Sequence, residues 1–299
     1  MTNTITQLEI PGVKKVHSGK VREIFDLGDA LLFVATDRIS AFDVIMPNPI
    51  PEKGHVLTAL SAFWFKKTVH IVPNHFLTND FARIATAVGG KTTSPAETLV
   101  ALRDRSMLVR KCQPLPVECV VRGYLAGSGW KEYQQSGTVC GIPLPAGLVE
   151  SSKLREPVFT PSTKAAVGHD ENISFDRACQ ILGQPIAEKI RHYSLALYKY
   201  ARDQAAMHGI IIADTKFEFG MDHDKVLLID EALTPDSSRF WPATNYKAGG
   251  PQPSFDKQFL RDYLETLSWN KTPPGPELPA EIIQKTSAKY LEALQRLTA

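Results

Sequence analysis

The segment "IIIADTKFEFGMDHDKVLLIDEALTPDSSRFW", residues 210–241, constrains the fold more than any other part of the chain. Its triple Ile and its returning "VLLI" read as two strands deep in a sheet, joined by a turn at "GMDHDK". Yet Asp214, Lys216 and Glu218 stand at every second position. Side chains alternate across a strand, so these three share one face, and Thr215, Phe217 and Phe219 take the other, where the two Phe enter the core. With the turn centred near Asp222, Asp230 falls on the Asp214–Glu218 face, and a slip of one residue would invert it. Two carboxylates about 4 Å apart repel by ~4 kcal/mol at an intermediate dielectric. A cation must therefore sit among them. Lys216 compensates one charge, and Mg2+, which favours carboxylate oxygen, would compensate more. No His-rich or Cys-rich spacing competes for a zinc reading. Glu218 and Asp230 thus read as metal ligands, with the metal arriving alongside a nucleotide. The plain alternative, a solvated strand face, is disfavoured by the apolar flanks.

The chain has 299 residues, enough for two domains or one large one, and for a sizeable core. A net charge of +2 spread along the chain does not mark a nucleic-acid binder, which shows a concentrated basic stripe. The cluster Arg103, Arg105, Arg110 and Lys111 is expected to be a solvated face. Cys112, Cys119, Cys140 and Cys179 form no C-x-x-C pair, and the N-terminal segment lacks a signal-peptide core. The expectation is a cytoplasmic protein with reduced thiols. No apolar run approaches the ~20 residues of a membrane helix.

Along the chain, the first third reads as β-rich, with turns at Ser18-Gly19 and Gly28-Asp29 and a helix near 57–69. Pro114 and Pro116 suit a crossover between lobes. "CVVRGYLAGSGWKEYQQSG" reads as a strand, a glycine-rich turn and a short helix. The polar stretch up to "GHDENIS" lacks periodicity, and such irregular segments are usually functional or mobile. A long helix is expected over 187–208, with Ile190, Tyr193, Leu197 and Tyr200 on one stripe. The tail holds a linker, "NKTPPGPE", and an amphipathic helix. The expected domains are 1–117, a β-rich lobe, and 118–299, a larger lobe that includes the helical segment 255–299.

Three further loops carry chemistry-bearing residues. "HSGKVREIF" sets Gly19, Lys20 and Arg22 between two strand-like runs, where a glycine lets backbone approach phosphate. It is not a Walker A loop, and an ordinary hairpin is the commoner reading. "ATDRISAFD" adds Asp37, Arg38, Ser40 and Asp43, and "VRGYLAGSGW" adds Arg122 and a Gly127-Ser128-Gly129 turn that could form an anion pocket. "TPDSSRFW" clusters Asp236, Ser237, Ser238 and Arg239, which suit a phosphate or carboxylate, although a capped helix start has the same composition.

Six stretches, "SGKVRE", "TDRISAFD", "PVECVVRGYLAGSGW", "GHDENIS", "DTKFEFG" and "DEALTPDSSRFW", together closely resemble the phosphoribosylaminoimidazole-succinocarboxamide synthase family and occur in the family's order. The resemblance implies an α+β fold with a small β-rich, kinase-like N-terminal lobe, a larger ATP-grasp-related lobe and a cleft between them. It implies an ATP-dependent ligase of purine biosynthesis that joins the carboxylate of carboxyaminoimidazole ribonucleotide to the amine of L-aspartate through an acyl phosphate. ADP and phosphate are released. The implied co-substrate and metal are ATP and Mg2+. Ser18, Gly19, Lys20 and Arg22 are expected around the ATP phosphates, with Lys20 gripping them. Backbone at Arg110, Lys111 and Cys112 is expected at the adenine, with Glu118 assisting. Lys164, His169 and Asp170 are expected beside ATP or aspartate. Asp37, Ser40, Arg122, Ser128, Asp236, Ser237 and Arg239 are expected at the ribonucleotide. Lys216 is expected at the transferring phosphoryl group, and Asp214 as the base for the aspartate ammonium.

Two other readings are separable. A kinase would carry H-R-D-x-x-x-x-N, which is absent, and in "FEFG" a Glu stands where a kinase has the Asp of D-F-G. A non-catalytic nucleotide module would tend to lose residues such as Lys20, Lys216, Glu218, Asp230 and Arg239, all of which are present.

Overall fold

The computed structural model describes residues 4–93, 95–164 and 171–299. The expected His169 and Asp170 lie outside the described residues. The chain is mixed α+β and divides into two compact units. The first comprises Met1–Lys66, His75–Lys111 and Asp256–Thr298; the second comprises Lys67–Asn74 and Cys112–Phe255, with Ala299.

In the first unit, β1 (Lys14–Ser18), β2 (Arg22–Asp26) and β3 (Ala30–Ala35) form an antiparallel meander. The two-residue strands β4 (Ser40–Ala41) and β5 (Val44–Ile45) follow as a hairpin, then α1 (Lys53–Thr68), β6 (Phe76–Thr78), α2 (Phe81–Gly89), α3 (Pro95–Leu102) and β7 (Ser106–Arg110). The sheet order is β1-β2-β3-β7-β6. Phe25, Leu32, Val34 and Leu108 meet Ile84, Val88 and Leu102 in one apolar cluster, so the alternating strands and the helices after β6 share a core. The hairpin tip, Phe42 and Asp43, has φ of 51° and 63°. A two-residue turn between right-twisted strands demands positive φ at both central positions, which a Phe adopts only at a cost. The Phe42 ring is braced by Trp269, edge-on at 6.3 Å, and by Lys271 Nζ at 4.5 Å.

Asp37 was expected at the substrate, but it is a buried keystone of this unit. Its carboxylate accepts from Ile5 N at 2.8 Å, Gly54 N at 2.9 Å and Arg105 Nη1 at 2.9 Å, and the residue is 0% exposed. Two backbone donors and a guanidinium engage both carboxylate oxygens, and full burial closes the group to a ligand. Arg105, expected on a solvated face, is drawn inward by the same pair.

In the second unit, β8 (Gln113–Pro114) and β9 (Val117–Tyr124) precede α4 (Gly127–Ser136), the short hairpin β10 (Thr138–Val139) and β11 (Ile142–Pro143), and β12 (Lys153–Thr163). Then come α5 (Phe175–Leu182), α6 (Gln184–Met207), β13 (Ile210–Asp222), β14 (Lys225–Ile229) and β15 (Ser238–Pro242). The main sheet runs β12-β9-β13-β14, and β15 and β8 also pair with β13. β13 is the spine: its first half lies between β9 and β15, its second half between β14 and β8. Thr215, Phe217 and Phe219 are buried, as the alternation predicts. On α6 the buried stripe is Ile190, Ser194, Leu197, Tyr198, Ala201 and Ala205, while the expected Tyr193 and Tyr200 are half-buried at its edge. Serine and alanine extend the buried face because the helix lies close against β13 and β9. Tyr198 donates its hydroxyl to Ile212 O on β13 at 2.6 Å.

The tail, α7 (Gln258–Glu265) and α8 (Ala280–Leu297), groups with the first unit, whereas the sequence reading put 255–299 with the larger lobe. Ser287 donates to Pro51 O at 2.8 Å, Leu278 N to Asn48 Oδ1 at 2.7 Å, and Tyr290 lies fully buried beneath Lys53. An amphipathic stripe shows that α8 must be covered but not by what. Among the described residues no helix is long and apolar enough to cross a membrane.

Gly123 on β9 leaves room for Tyr198: a Cβ there would meet Oη at 1.9 Å. Gly123→Ala should therefore destabilise the chain by about 1–3 kcal/mol through overpacking, read as a lower urea midpoint. An unshifted midpoint would show that α6 can move away from β9 freely.

Candidate functional site

The second unit gathers two charge clusters on one face of β13, two residues apart, or about 7 Å along the strand. At the first, Asp214 lies directly opposite Arg122 of β9 on one side and Arg239 of β15 on the other. Its Oδ2 accepts from Arg122 Nη1 at 3.1 Å and from Arg239 Nη1 at 2.5 Å. Arg122 also donates to Thr160 Oγ1 at 3.1 Å, Ser128 Oγ at 2.9 Å and Ala126 O at 3.4 Å. Burial pushes the Arg122 pKa down; Asp214 opposes this and the neighbouring Arg239 adds to it. One carboxylate oxygen of Asp214 is thus shared by two guanidinium groups.

The turn 127–129 packs against the two arginines. Gly127 has a φ of 56°, and a Cβ on it would meet Arg239 Nη2 at 2.1 Å. A Cβ on Gly129 would meet Arg122 Cδ at 2.9 Å. The glycines make space for two arginine side chains. The repeated Gly was visible in the sequence, but the guanidinium groups it accommodates were not, since they come from other strands.

At the second cluster, Lys216 Nζ donates to Glu118 Oε1 at 2.5 Å and lies 3.5 Å from Glu218 Oε1, and Lys164 Nζ donates to Glu218 Oε2 at 2.5 Å. Burial alone would lower the Lys216 pKa, but Glu218 and Glu118 outweigh it, with Asp230 adding, and hold the ammonium charged well above its ordinary range. Cys119, next to Glu118 in sequence, is pushed up by burial and stays a thiol. The β13–β14 register pairs Glu218 with Ile229, which centres the turn between His223 and Asp224 and not at Asp222. A regular strand would then turn Asp230 to the opposite face. Instead β14 ends at Ile229 and Asp230 takes a φ of 67°, leaving the ladder, while its charge still acts on Lys216. After it, Thr234 Oγ1 donates to Glu231 Oε2 at 2.9 Å, and Thr234 N to Ser237 Oγ at 3.1 Å. Asp236 N points to Thr234 Oγ1 at 3.2 Å, and Ser237 O accepts from Lys216 N at 2.9 Å. The loop "TPDSS" is thus a hydroxyl-braced turn fastened to β13, not a helix start. Among the described residues, no group of three or more His, Cys, Asp or Glu side chains forms a metal cage.

The remaining expected residues lie in the first unit, apart from Cys112, whose Cβ lies 3.1 Å from a Cβ placed on Gly220 of β13. Gly19 N donates to Arg22 O at 2.8 Å, closing the turn after Ser18. Arg38 donates to Gly19 O at 2.7 Å, to Lys20 O at 3.2 Å and to Glu23 Oε1 at 2.6 Å. Arg38, for which the motif reading named no role, thereby fixes the shape of the glycine turn. Lys20 pairs with Asp43 at the hairpin tip. Arg22 faces a small cavity with Phe33, Leu57, Thr58 and Ser61. Ser40 is buried in β4. Arg110 donates its backbone N–H to His75 O at 2.7 Å, and Lys111 Nζ pairs with Asp26 at 2.6 Å.

Buried guanidinium groups and a charged lysine ringed by carboxylates thus share one strand face of an α+β chain. The profile of the SAICAR synthetase family matches residues 15–276. The phosphoribosylaminoimidazole-succinocarboxamide synthase of Geobacter metallireducens is 59% identical over 299 residues, covering 100% of this chain and 99% of that protein. Its counterpart from Geobacter sulfurreducens is 58% identical over 302 residues, with the same coverage. The solved SAICAR synthase of Saccharomyces cerevisiae, complexed with SAICAR, superposes with a TM-score of 0.90 at 47% identity, covering 99% of this chain and 98% of that one. The chain belongs to the SAICAR synthetase family, ligases that join carboxyaminoimidazole ribonucleotide to aspartate in an ATP-dependent step of purine biosynthesis.

The Lys216 pairing sets a pH signature. Its folded-state pKa lies above the ordinary 10.5, so the stability it contributes is complete below that value and is lost as pH climbs through the folded value. Glu118→Gln removes part of this stability. The gap in urea midpoint between wild type and variant should stay level from about pH 7 to about pH 10 and narrow only above that.

Proposed function

We propose that the two clusters on β13 divide the reaction between them, the arginines seating the ribonucleotide and Lys216 serving the transferring phosphoryl group. The observation that carries this reading is that one strand presents both clusters on one face: Asp214 with Arg122 and Arg239, then Lys216 with Glu118 and Glu218. A ring-conjugated carboxylate is a poor electrophile. Its oxygen attacks the γ-phosphorus of ATP, ADP leaves, and an acyl phosphate forms. The aspartate amine, having lost a proton, then attacks the acyl carbon and phosphate departs. Phosphoryl transfer brings two anions together, so positioning and charge neutralisation dominate. Lys216, kept charged by its neighbours, supplies a fixed cation for that step. Arg122, Ser128 and Arg239 hold the phosphate of the ribonucleotide, and Asp236 and Ser237 border its base. Lys20, on the turn shaped by Arg38, exchanges Asp43 for the ATP phosphates. A family member at 26% identity, with a TM-score of 0.67, was solved in complex with ADP, which supports the nucleotide assignment.

Glu218 and Asp230 would hold Mg2+. Both offer hard carboxylate oxygen, and this ion binds through one or two carboxylates plus water and substrate phosphates, so a full protein cage is not required. When bound it neutralises charge on the phosphate oxygens. Lys164, whose side chain is 43% exposed, covers Glu218 Oε2 and must move aside for that role.

ADP release by the purified protein should require both L-aspartate and the imidazole carboxylate, with the succinocarboxamide product detected by mass spectrometry; ADP release with a hydroxyl acceptor instead would move the protein to a kinase reading. Glu218→Ala and Asp230→Ala should each abolish turnover while circular dichroism stays that of a folded chain. Retained activity in either would remove that residue from the metal site. Lys20→Ala should raise the KM for ATP, and an unchanged value would leave the glycine turn a structural role only.

A further inference from the structure

We propose that Asp214 is a positioning residue, whose carboxylate holds the Arg122 and Arg239 guanidinium groups side by side as one preformed seat for the phosphate of the ribonucleotide. This rests on the reading that the two arginines bind that substrate.

The sheet itself dictates the arrangement. Residues directly opposite in neighbouring antiparallel strands have side chains on the same face, about 5 Å apart. Asp214 is opposite Arg122 in β9 and opposite Arg239 in β15, so the carboxylate is placed between two cations by backbone register alone. A single oxygen, Oδ2, then accepts from both, at 3.1 Å and 2.5 Å. Arg122 also donates to Thr160, Ser128 and Ala126, which leaves that side chain, 4% exposed, one orientation, with an Nη2 N–H still to offer.

Charge gives the arrangement its purpose. The Arg122 and Arg239 guanidinium groups face each other across the one Asp214 oxygen they share and repel. Arg239 lowers the Arg122 pKa, which expresses the same repulsion. A phosphate relieves it, and because the arginines are already held together, it binds without paying to order two long side chains. Without Asp214 the guanidinium groups would repel each other and the seat would open. Gly127 and Gly129 complete the device by leaving space for one arginine each.

A positioning role and a base role for Asp214 predict opposite kinetics. The experiment compares wild type, Asp214→Asn, Asp214→Glu and Arg239→Ala by calorimetric affinity for carboxyaminoimidazole ribonucleotide, by KM for each substrate, and by the pH profile of kcat. Positioning predicts that Asp214→Asn weakens ribonucleotide binding by about 10- to 100-fold, as loss of a partner that orients a ligating group does. The KM for ATP and for aspartate should change little, and the acidic limb of the kcat profile should persist. Loss of kcat by ~10²–10⁴ with unchanged ribonucleotide affinity and a vanished acidic limb is the base signature and overturns the proposal. Should Asp214→Asn not fold, Asp214→Glu keeps the charge but displaces it by one methylene. It should still weaken ribonucleotide binding with the pH profile intact, and wild-type affinity in that variant overturns the proposal. Arg239→Ala separates the two layers. If it leaves ribonucleotide affinity unchanged, the anion-seat reading fails; if it weakens binding while Asp214→Asn and Asp214→Glu do not, only the positioning role of Asp214 fails.

Discussion

The second unit depends on cross-strand charge compensation along β13. A strand buried on both sides by neighbouring strands can carry Asp214, Lys216 and Glu218 on one face only if each finds an opposite charge at the register distance. Asp214 finds two guanidinium groups, and Lys216 finds Glu118 and Glu218. Removing one partner of a desolvated pair strands the other, which is far more costly than the pair is stabilising. The pairs therefore specify which strands lie beside β13 and in what register. The same register brings the cationic and acidic clusters to a single face of β13.

The first unit uses the same device in a different setting. Asp37 gathers the backbone at Ile5 and Gly54 and the guanidinium of Arg105, three positions far apart in the chain. Arg38, its neighbour, fastens the glycine turn through two carbonyl oxygens and pairs with Glu23, whose pKa is held down by Arg38, Ser18 and Lys15 despite burial that works against it. Adjacent residues of "TDRISAFD" thus brace the unit and shape its glycine turn. The strained hairpin tip at Phe42 and Asp43 continues the pattern: a backbone conformation that is costly in isolation is retained where one side chain packs on Trp269 and Lys271 and the other pairs with Lys20. Strain of this kind persists where surrounding structure over-determines it.

Much of this was legible in residue order. Alternation placed Phe217 and Phe219 in the core, the helical period announced α1, α6 and α8, and the six motif stretches named the family that the comparisons then established. Asp230 is instructive because the alternation argument failed there: the ladder pairs Glu218 with Ile229, and Asp230 leaves it with a left-handed backbone. Asp is among the few non-glycine residues that adopt that conformation readily, but the local sequence does not say at which Asp it falls.

By itself, the sequence determined which side chains carry charge, which faces are apolar, and hence that several acids and bases would have to share one strand face. It also determined the family, because ordered motifs are a linear property. Only tertiary structure decided how those charges are partnered: that Asp214 is committed to two arginines, that Gly127 and Gly129 accommodate them, that Asp37 is sealed in a core, and that the C-terminal helices serve the first unit. The physical reason is that periodicity reports the direction of a side chain relative to its own backbone. The identity of the group it meets depends on which distant segments the sheet and the helices bring alongside.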